Sequence, residues 1–339
     1  MTLPLAFGGG AIGNLNGVVS DAVATETIVA ALAAGLRHFD TAPHYGQGLS
    51  ERRMGDGLRG RDDVTISTKA GRLLHPDTVR NAAPRDGFHS PMPFHAVYDY
   101  SADAILRSHD DSLQRLGLAR VDTLLVHDIG TMTHGDANTR HWEQLTKGGG
   151  LRALAKLRDT GTVARIGIGV NEIDACLAVM REIPLDTVLI AGRYTLLDQQ
   201  ALDALLAACL AAGTRVIAGA PFNSGILATG ARVAPGAAPP YFDYAPANAE
   251  RLAHVARIEA IAAAYAVPLQ AAALQFPLGH PAVGQVLAGF RDPGQVASAI
   301  GWIAHPIPAD FWAELKDDGL LRADAPVPAT IVPSKAPQA

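Results

Sequence analysis

Cysteine is nearly absent from this chain: two occur in 339 residues, Cys176 and Cys209. Their spacing fits neither a metal-ligand pair nor a redox pair. Both fall in helical patterns and read as buried thiols of a reducing, cytoplasmic setting. Positive charge is also short, with 28 Lys and Arg against 33 Asp and Glu, a net charge of −5. That argues against a nucleic-acid partner, which would be held by a basic patch. No apolar run reaches the roughly 18 residues of a membrane helix. The longest, residues 201–212, contains Asp203. The start, Met1-Thr2-Leu3-Pro4, has no basic segment, so no secretory signal is expected. Twelve histidines are present, yet none shows the paired spacing of a metal site, and no metal is expected. Gly8-Gly9-Gly10 lacks the Lys-Ser/Thr of a phosphate loop and the βαβ setting of a dinucleotide fingerprint.

What the chain has is apolar content, 48%, enough for a large core. Short apolar runs alternate with helical patterns. Eight candidate strands lie at residues 3–8, 36–41, 64–68, 122–127, 165–169, 187–191, 215–219 and 285–289. Most lack polar alternation, as strands buried on both faces do. Helical patterns follow at 21–34 (after Ser20), 101–116, 150–160, 198–212 and 247–265, several ending at glycine. No linker separates two domains. The pattern predicts a single (β/α)8 TIM barrel over residues 1–325, with long loops at its C-terminal face and a loose Pro/Ala-rich tail at 326–339. Residues 84–93 and 233–240 read as loops, and Gly148-Gly149-Gly150 as a flexible hinge.

In such a barrel, chemistry belongs at the carboxyl ends of the strands. Three consecutive strand ends carry polar residues where a core prefers apolar ones: Asp40, Lys69 and His127. Tyr45 follows in the loop after the second strand. Singly, each has an ordinary role, as a cap, a paired lysine, a packed ring or a satisfied core histidine. Together they form a proton-transfer set. A tyrosine hydroxyl near pKa 10 is a weak base at neutral pH. An adjacent ammonium favours its phenolate, and a buried ammonium needs a carboxylate. Asp40 can hold Lys69, Lys69 can tune Tyr45, and His127 can orient a substrate oxygen. Such a set serves hydride transfer at a carbonyl carbon.

The string Phe39-Asp40-Thr41-Ala42-Pro43-His44-Tyr45-Gly46, continued by Ser50-Glu51-Arg52-Arg53-Met54-Gly55, resembles the aldo-keto reductase signature. The contexts of Lys69 and His127 resemble its second and third signatures. The resemblance runs from Leu3 to about Ile303. It implies the same barrel, Tyr45 as general acid/base tuned by Lys69 and Asp40, His127 as substrate-orienting residue, and a nicotinamide cofactor held without a Rossmann domain. The chain most resembles the branch of the D-threo-aldose 1-dehydrogenases (L-fucose or L-galactose dehydrogenase) and pyridoxal 4-dehydrogenases. Phe7-Gly8-Gly9, Arg193-Tyr194-Thr195-Leu196-Leu197-Asp198 and Ala220-Pro221-Phe222-Asn223-Ser224-Gly225 carry that likeness. Both activities oxidise a ring hemiacetal to a lactone with NAD.

On the cofactor side, the family's usual strand-six glutamine aligns with Ala191 and its stacking aromatic with Gly219. The resemblance therefore implies that Phe222 or Tyr194 helps with the ring. Gly9 and Gly10 admit the nicotinamide end, and Asn171 bonds the carboxamide or caps a helix. Ser224, Gly225 and Leu227 follow strand seven. Gly289, Arg291, Gln295 and Ser298 follow strand eight. A glycine at 289, where a basic residue often grips a 2′-phosphate, favours NAD over NADP. The long loop at 73–97 is expected to be a substrate lid carrying Phe88, Phe94 and His95, with His44 and Asp128 also near substrate. The leading expectation is an NAD-dependent dehydrogenase of a cyclic aldose. The second is a pyridoxal dehydrogenase, favoured if aromatic residues such as Phe88, Phe94, Tyr98 or Trp142 face the site. The third is a nucleotide-sensing barrel without turnover. The expected partner is a small molecule, and neither a nucleic acid nor a membrane.

Overall fold

The computed structural model describes residues 3–78, 83–232 and 239–329. In chain order the elements are β1 (Leu5–Gly8), α1 (Asp21–Ala33), β2 (His38–Asp40), α2 (Leu49–Leu58), β3 (Thr65–Ala70), β4 (Arg72–Pro76), β5 (Phe94–Tyr98), α3 (Ala102–Leu116), β6 (Thr123–His127), α4 (Thr131–His134) and α5 (Asn138–Leu145). Then come α6 (Gly150–Asp159), β7 (Arg165–Val170), α7 (Ile173–Glu182), β8 (Thr187–Ala191), α8 (Leu205–Ala212), β9 (Arg215–Gly219), α9 (Ile226–Thr229), β10 (Tyr241–Phe242) and β11 (Ala245–Pro246). The last are α10 (Ala249–Ala264), α11 (Leu269–Gln275), β12 (Val283–Gly289), α12 (Pro293–Ile303) and α13 (Ala309–Asp317).

Eight strands close a parallel barrel in the order β1-β12-β9-β8-β7-β6-β3-β2, each within a few residues of an expected strand. Successive strand residues point to opposite faces. One set turns outward to the helices: Leu5, Phe7, Phe39, Leu124, Val126, Ile166 and Ile168 join the large buried core there. The other turns inward. Ala6, Leu125, Leu189, Ile217 and Leu287 pack together inside the barrel. On β2 and β3 the inward set is polar instead: His38, Asp40, Ser67 and Lys69, all buried.

Helix ends follow the expected chemistry. The Ser20 hydroxyl accepts from the Val23 amide at 3.3 Å, and Ser101 caps α3 in the same way. Four expectations need correction. The 198–212 helix begins only at Leu205, because Asp198 accepts the Gln200 amide and Ala204 leaves helical geometry (φ −143°). The 73–97 loop is in part the antiparallel pair β4–β5, whose register matches Arg72 to Tyr98. Gly150 is no hinge. A Cβ there would lie 2.0 Å from the Tyr100 carbonyl oxygen, so the glycine allows close packing of α6. The supposed tail starts packed, since a Cβ on Gly279 would lie 2.6 Å from the Val327 carbonyl carbon. Residues 233–238 of one expected loop and 330–339 of the tail lie outside the described residues. Among the described residues, no single helix is long and apolar enough to cross a membrane.

Candidate active site

Asp40 ends β2, Lys69 lies near the end of β3 and His127 ends β6, so barrel closure brings the three to one rim. Lys69 Nζ donates to Asp40 Oδ2 at 2.6 Å and to the Thr41 carbonyl at 2.8 Å. The pair is almost wholly buried, at 1% and 0% side-chain exposure. Such a pair survives because each charge is matched and hydrogen-bonded. Lys69 Nζ stands 4.8 Å from the centre of the Tyr45 ring. The His127 ring lies edge-on to the same ring at 6.1 Å.

Tyr45 is carried by the loop before α2. Gly13 and Gly46 let that loop close: a Cβ on Gly13 would lie 2.9 Å from the Tyr45 carbonyl carbon. Gly46 has φ +66°, a left-handed value where its own Cβ would meet the Gly13 oxygen at 2.4 Å. The residues after the tyrosine brace it. Ser50 Oγ donates to the Gly9 carbonyl, and buried Glu51 accepts from Arg115 and from Thr68 Oγ1. Arg53 reaches back to the Ile12 and Val19 carbonyls. The signature's polar run is therefore a clamp on the loops around the tyrosine.

The electrostatics differ in one respect from expectation. Burial raises the Tyr45 pKa and outweighs the pull of Lys69, leaving it at about 12. Lys69 acts in the expected direction, but the phenol form holds at neutral pH. For Lys69, burial favours the neutral amine, yet Asp40 and Tyr45 more than offset it and its pKa lies above the ordinary value. Burial, then Arg72 and Lys69, hold His127 far below the ordinary histidine value, so its imidazole is neutral. His44 is likewise pushed down to about 3, first by burial.

A cavity of about 940 Å³ opens above this cluster. Its floor is Tyr45, Lys69 and His127. His44, Phe88, Asp128, Gly169, Asn171 and Ala191 also line it. Phe88 is buried and stacks on Tyr45 at 6.0 Å. Asp128 is ion-paired to buried Arg72, and burial raises its pKa.

The comparisons agree with this geometry. Residues 4–317 match the Aldo/keto reductase family. The chain is 42% identical over 326 residues to the pyridoxal 4-dehydrogenase of Microbacterium luteolum, covering 94% of each. It is 39% identical over 322 residues to a Pseudomonas D-threo-aldose 1-dehydrogenase, again covering 94% of each. This chain belongs to the aldo/keto reductase family. Its barrel also superposes on the glycerol dehydrogenase of Gluconobacter oxydans with a TM-score of 0.71 at 22% identity, covering 97% of this chain and 94% of that one. The match shows the fold.

Aldo/keto reductases use a nicotinamide cofactor, and this one has room for it beside Tyr45. The inward residues at the top of β7, β8 and β9 are Gly169, Ala191 and Gly219. A Cβ on Gly219 would sit 3.2 Å from Leu189 and 3.4 Å from Ala191 Cβ, filling the barrel mouth. Their small size keeps that side of the barrel mouth free of bulky side chains. Asn171 Nδ2 donates to the Ala191 carbonyl at 3.1 Å, and Glu172, not Asn171, holds the cap position of α7. The segment after β9 has four left-handed residues, Ala220, Asn223, Ser224 and Gly225. Its Asn223, Gly225 and Leu227 amides donate to carbonyls within the segment. Ser224 lines the cavity, Gly225 has no heavy atom within 4 Å of its built Cβ, and Leu227 is buried in α9. Beyond β12, Gly289 is exposed and Ser298 lies on the exposed side of α12. Asp292 caps α12, accepting from the Gln295 amide at 2.9 Å, and Gln295 Oε1 accepts from the Arg291 amide.

Several expected residues stand elsewhere. Tyr194 is buried against Phe276 and His280 outside the cavity, because the chain turns outward after β8. Phe222 packs on Trp302, away from Tyr45. Gly10 lines the cavity, but Gly9 is sealed against Ser50 Oγ, where its Cβ would lie at 2.5 Å. Arg291 is committed to the Leu15 and Val18 carbonyls rather than to a carboxylate. Phe94 and His95 ride the β4–β5 pair away from the site. Phe94 lines a separate outer cleft, and exposed His95 pairs with Asp77. Tyr98 faces Arg72 and His134, and Trp142 packs on the outer core. Reading the sequence missed Tyr241 and Tyr244, which line the cavity mouth from the β10–β11 turn. Asp243-Tyr244, both left-handed (φ 49° and 65°), form that turn, and an Asp flanked by aromatics was the available signal.

Proposed function

We propose that this aldo/keto reductase is an NAD-dependent dehydrogenase that oxidises the anomeric hydroxyl of a cyclic aldose of the L-fucose, L-galactose or D-arabinose type to a lactone. The observation that carries this reading is the convergence of Asp40, Lys69, Tyr45 and neutral His127 on the floor of one cavity, beside the small-residue wall. The nicotinamide, when bound, supplies the hydride acceptor. The C1–H bond breaks as a hydride, the hydroxyl proton passes to the Tyr45 oxygen, and the C1–O bond becomes a carbonyl. Lys69 favours the phenolate form of Tyr45 by its charge, against the effect of burial, and Asp40 neutralises Lys69 from the other side. His127, neutral, donates a hydrogen bond to the substrate oxygen. Because Tyr45 titrates high, oxidation speeds up as pH rises, whereas the reverse reduction needs the phenol and runs near neutrality. Asp292 at the α12 cap, Gly289 beside it and a committed Arg291 all favour NAD over a cofactor with a further phosphate. The buried thiols Cys176 and Cys209 suit a reducing cytoplasm.

A second reading keeps every role and replaces the sugar with the hemiacetal of pyridoxal. Phe88 stacked on Tyr45 and the tyrosines at the mouth favour a flat aromatic ring. Asp128 and Asn171 favour the hydroxyls of a sugar. The test offers L-fucose, L-galactose, D-arabinose and pyridoxal with NAD or NADP at alkaline pH and follows NADH absorbance. Turnover of the sugars with NAD is expected. Turnover of pyridoxal alone would move the second reading to first place. Tight NAD binding with no turnover of any carbonyl or hemiacetal would sink both and leave a nucleotide sensor.

A further inference from the structure

The barrel interior holds a buried polar chain that the reaction as described does not use. His38 stands two residues before Asp40 on β2, and Ser67 two before Lys69 on β3, so all four side chains face inward. Register pairs Asp40 with Ser67. Ser67 Oγ donates to Asp40 Oδ1 at 2.6 Å, on the carboxylate whose other oxygen takes Lys69. His38 Nε2 lies 3.0 Å from Ser67 Oγ. His38 Nδ1 lies 2.7 Å from Gln285 Oε1 on β12, and with the amide flipped the Gln285 nitrogen donates to Nδ1 and leaves the ring proton on Nε2. The chain thus runs from the N-terminal mouth of the barrel up to the tyrosine. A serine has one hydroxyl hydrogen. Given to Asp40, it cannot also serve the contact with His38, so Nε2 must be the donor there. With Nε2 donating, His38 leaves the Ser67 hydroxyl hydrogen on Asp40.

We propose that His38 and Ser67 are positioning residues for the acid/base tyrosine. They brace the Asp40 carboxylate against Lys69, so that the Lys69 ammonium stays fixed beside the Tyr45 ring. This rests on Tyr45 being the acid/base group. The charged groups facing His38 are Asp40, Lys69 and Arg165 on β7. Burial lowers its pKa and Asp40 opposes, so at neutral pH His38 has a single proton to place. Those acting on Tyr45 are Lys69, Asp40 and Asp128. The neutral rings of His44 and His127 lie beside it.

The test measures pH profiles of kcat/KM for oxidation with Ser67→Ala, His38→Leu, His38→Gln and Tyr45→Phe, alongside NAD affinity and thermal melting. Ser67→Ala removes a charge-assisted hydrogen bond, so the alkaline rise should move up by about one pH unit, a loss of about tenfold near neutral pH that is recovered at high pH. His38→Leu should move it the same way. His38→Gln, whose amide can donate to Ser67, should restore the normal profile. NAD affinity should hold throughout. Superimposable profiles, or an equal loss at every pH accompanied by a lower melting temperature, would overturn the proposal while Tyr45→Phe remains inactive. Should His38→Leu fail to fold, Ser67→Ala decides alone. An active Tyr45→Phe with a normal profile would instead refute the acid/base reading beneath it.

Discussion

The two halves of the barrel rim are built in opposite ways. On β2, β3 and β6, the inward residues at the top are Asp40, Lys69 and His127, the first two locked by buried hydrogen bonds as short as 2.6 Å. On β7, β8, β9 and β12 the corresponding positions are Gly169, Ala191, Gly219 and Gly289. The first half supplies charge in fixed places, and the second supplies space and backbone. Charge needs side chains that a core would not choose. A planar ring needs side chains removed. The first half is therefore conspicuous in a sequence and the second is nearly silent.

Four experiments would break or sharpen that contrast. Tyr45→Phe should lower kcat by about 10²–10⁴-fold with NAD affinity kept, since proton transfer alone is lost; a change within about threefold in steady-state assays would mean the charged half does no chemistry. Lys69→Met should match that loss and also lower the melting temperature, because it leaves Asp40 buried without its partner, a cost of about 3–5 kcal/mol. A normal melt and a normal pH profile would show that the pair is ornamental.

The silent half is probed by Gly219→Val. Its added methyls would enter the space beside Leu189 and Ala191. NAD affinity should fall by about tenfold or more, as overpacking does, while the tyrosine's alkaline rise stays in place. Unchanged affinity in a calorimetric titration would place the ring elsewhere. Gly289→Lys should raise NADP use relative to NAD by about tenfold, one charge-assisted contact with the extra phosphate. No change in the ratio of kcat/KM values would separate Gly289 from cofactor choice.

The smallest effect concerns acid stability. His38, His44, His127 and His134 all titrate below the ordinary value in the fold, burial being the first cause, with His44 at about 3 and His134 at about 4. Between those values and about 6.5 the unfolded chain binds more protons, so stability declines as pH falls through that window. Melting curves should shift down progressively below pH of about 6.5. A flat melting temperature from neutral pH to about 4.5 would mean these rings are not buried as described.

Much of the charged half was legible. A carboxylate after Phe39 and a lysine within Ser67-Thr68-Lys69-Ala70 stand out because apolar strands do not otherwise carry them. His38 and Ser67 stand on the same strand faces, two residues from Asp40 and Lys69, yet neither is charged and nothing in either run ties them to the tyrosine. Tyr194 and Phe222 misled because an aromatic after a strand end can turn toward the cavity or toward the helices, and the sequence states no preference. Phe94 and His95 misled because the 73–97 segment forms a ribbon, and a ribbon's pairing fixes which residues leave the site.

The sequence by itself determined the eight strands, their order along the chain and the three polar strand ends. Buried strands are contiguous apolar runs, and charge in such a run has to be matched. Only the tertiary structure decided which distant groups meet. Arg72 reaches Asp128 across 56 positions, and His38 reaches Gln285 across 247. The first meeting exists because β3 pairs with β6, and the second because β1 pairs with β12 and closes the barrel; strand pairing is a property of the whole sheet that no local segment encodes.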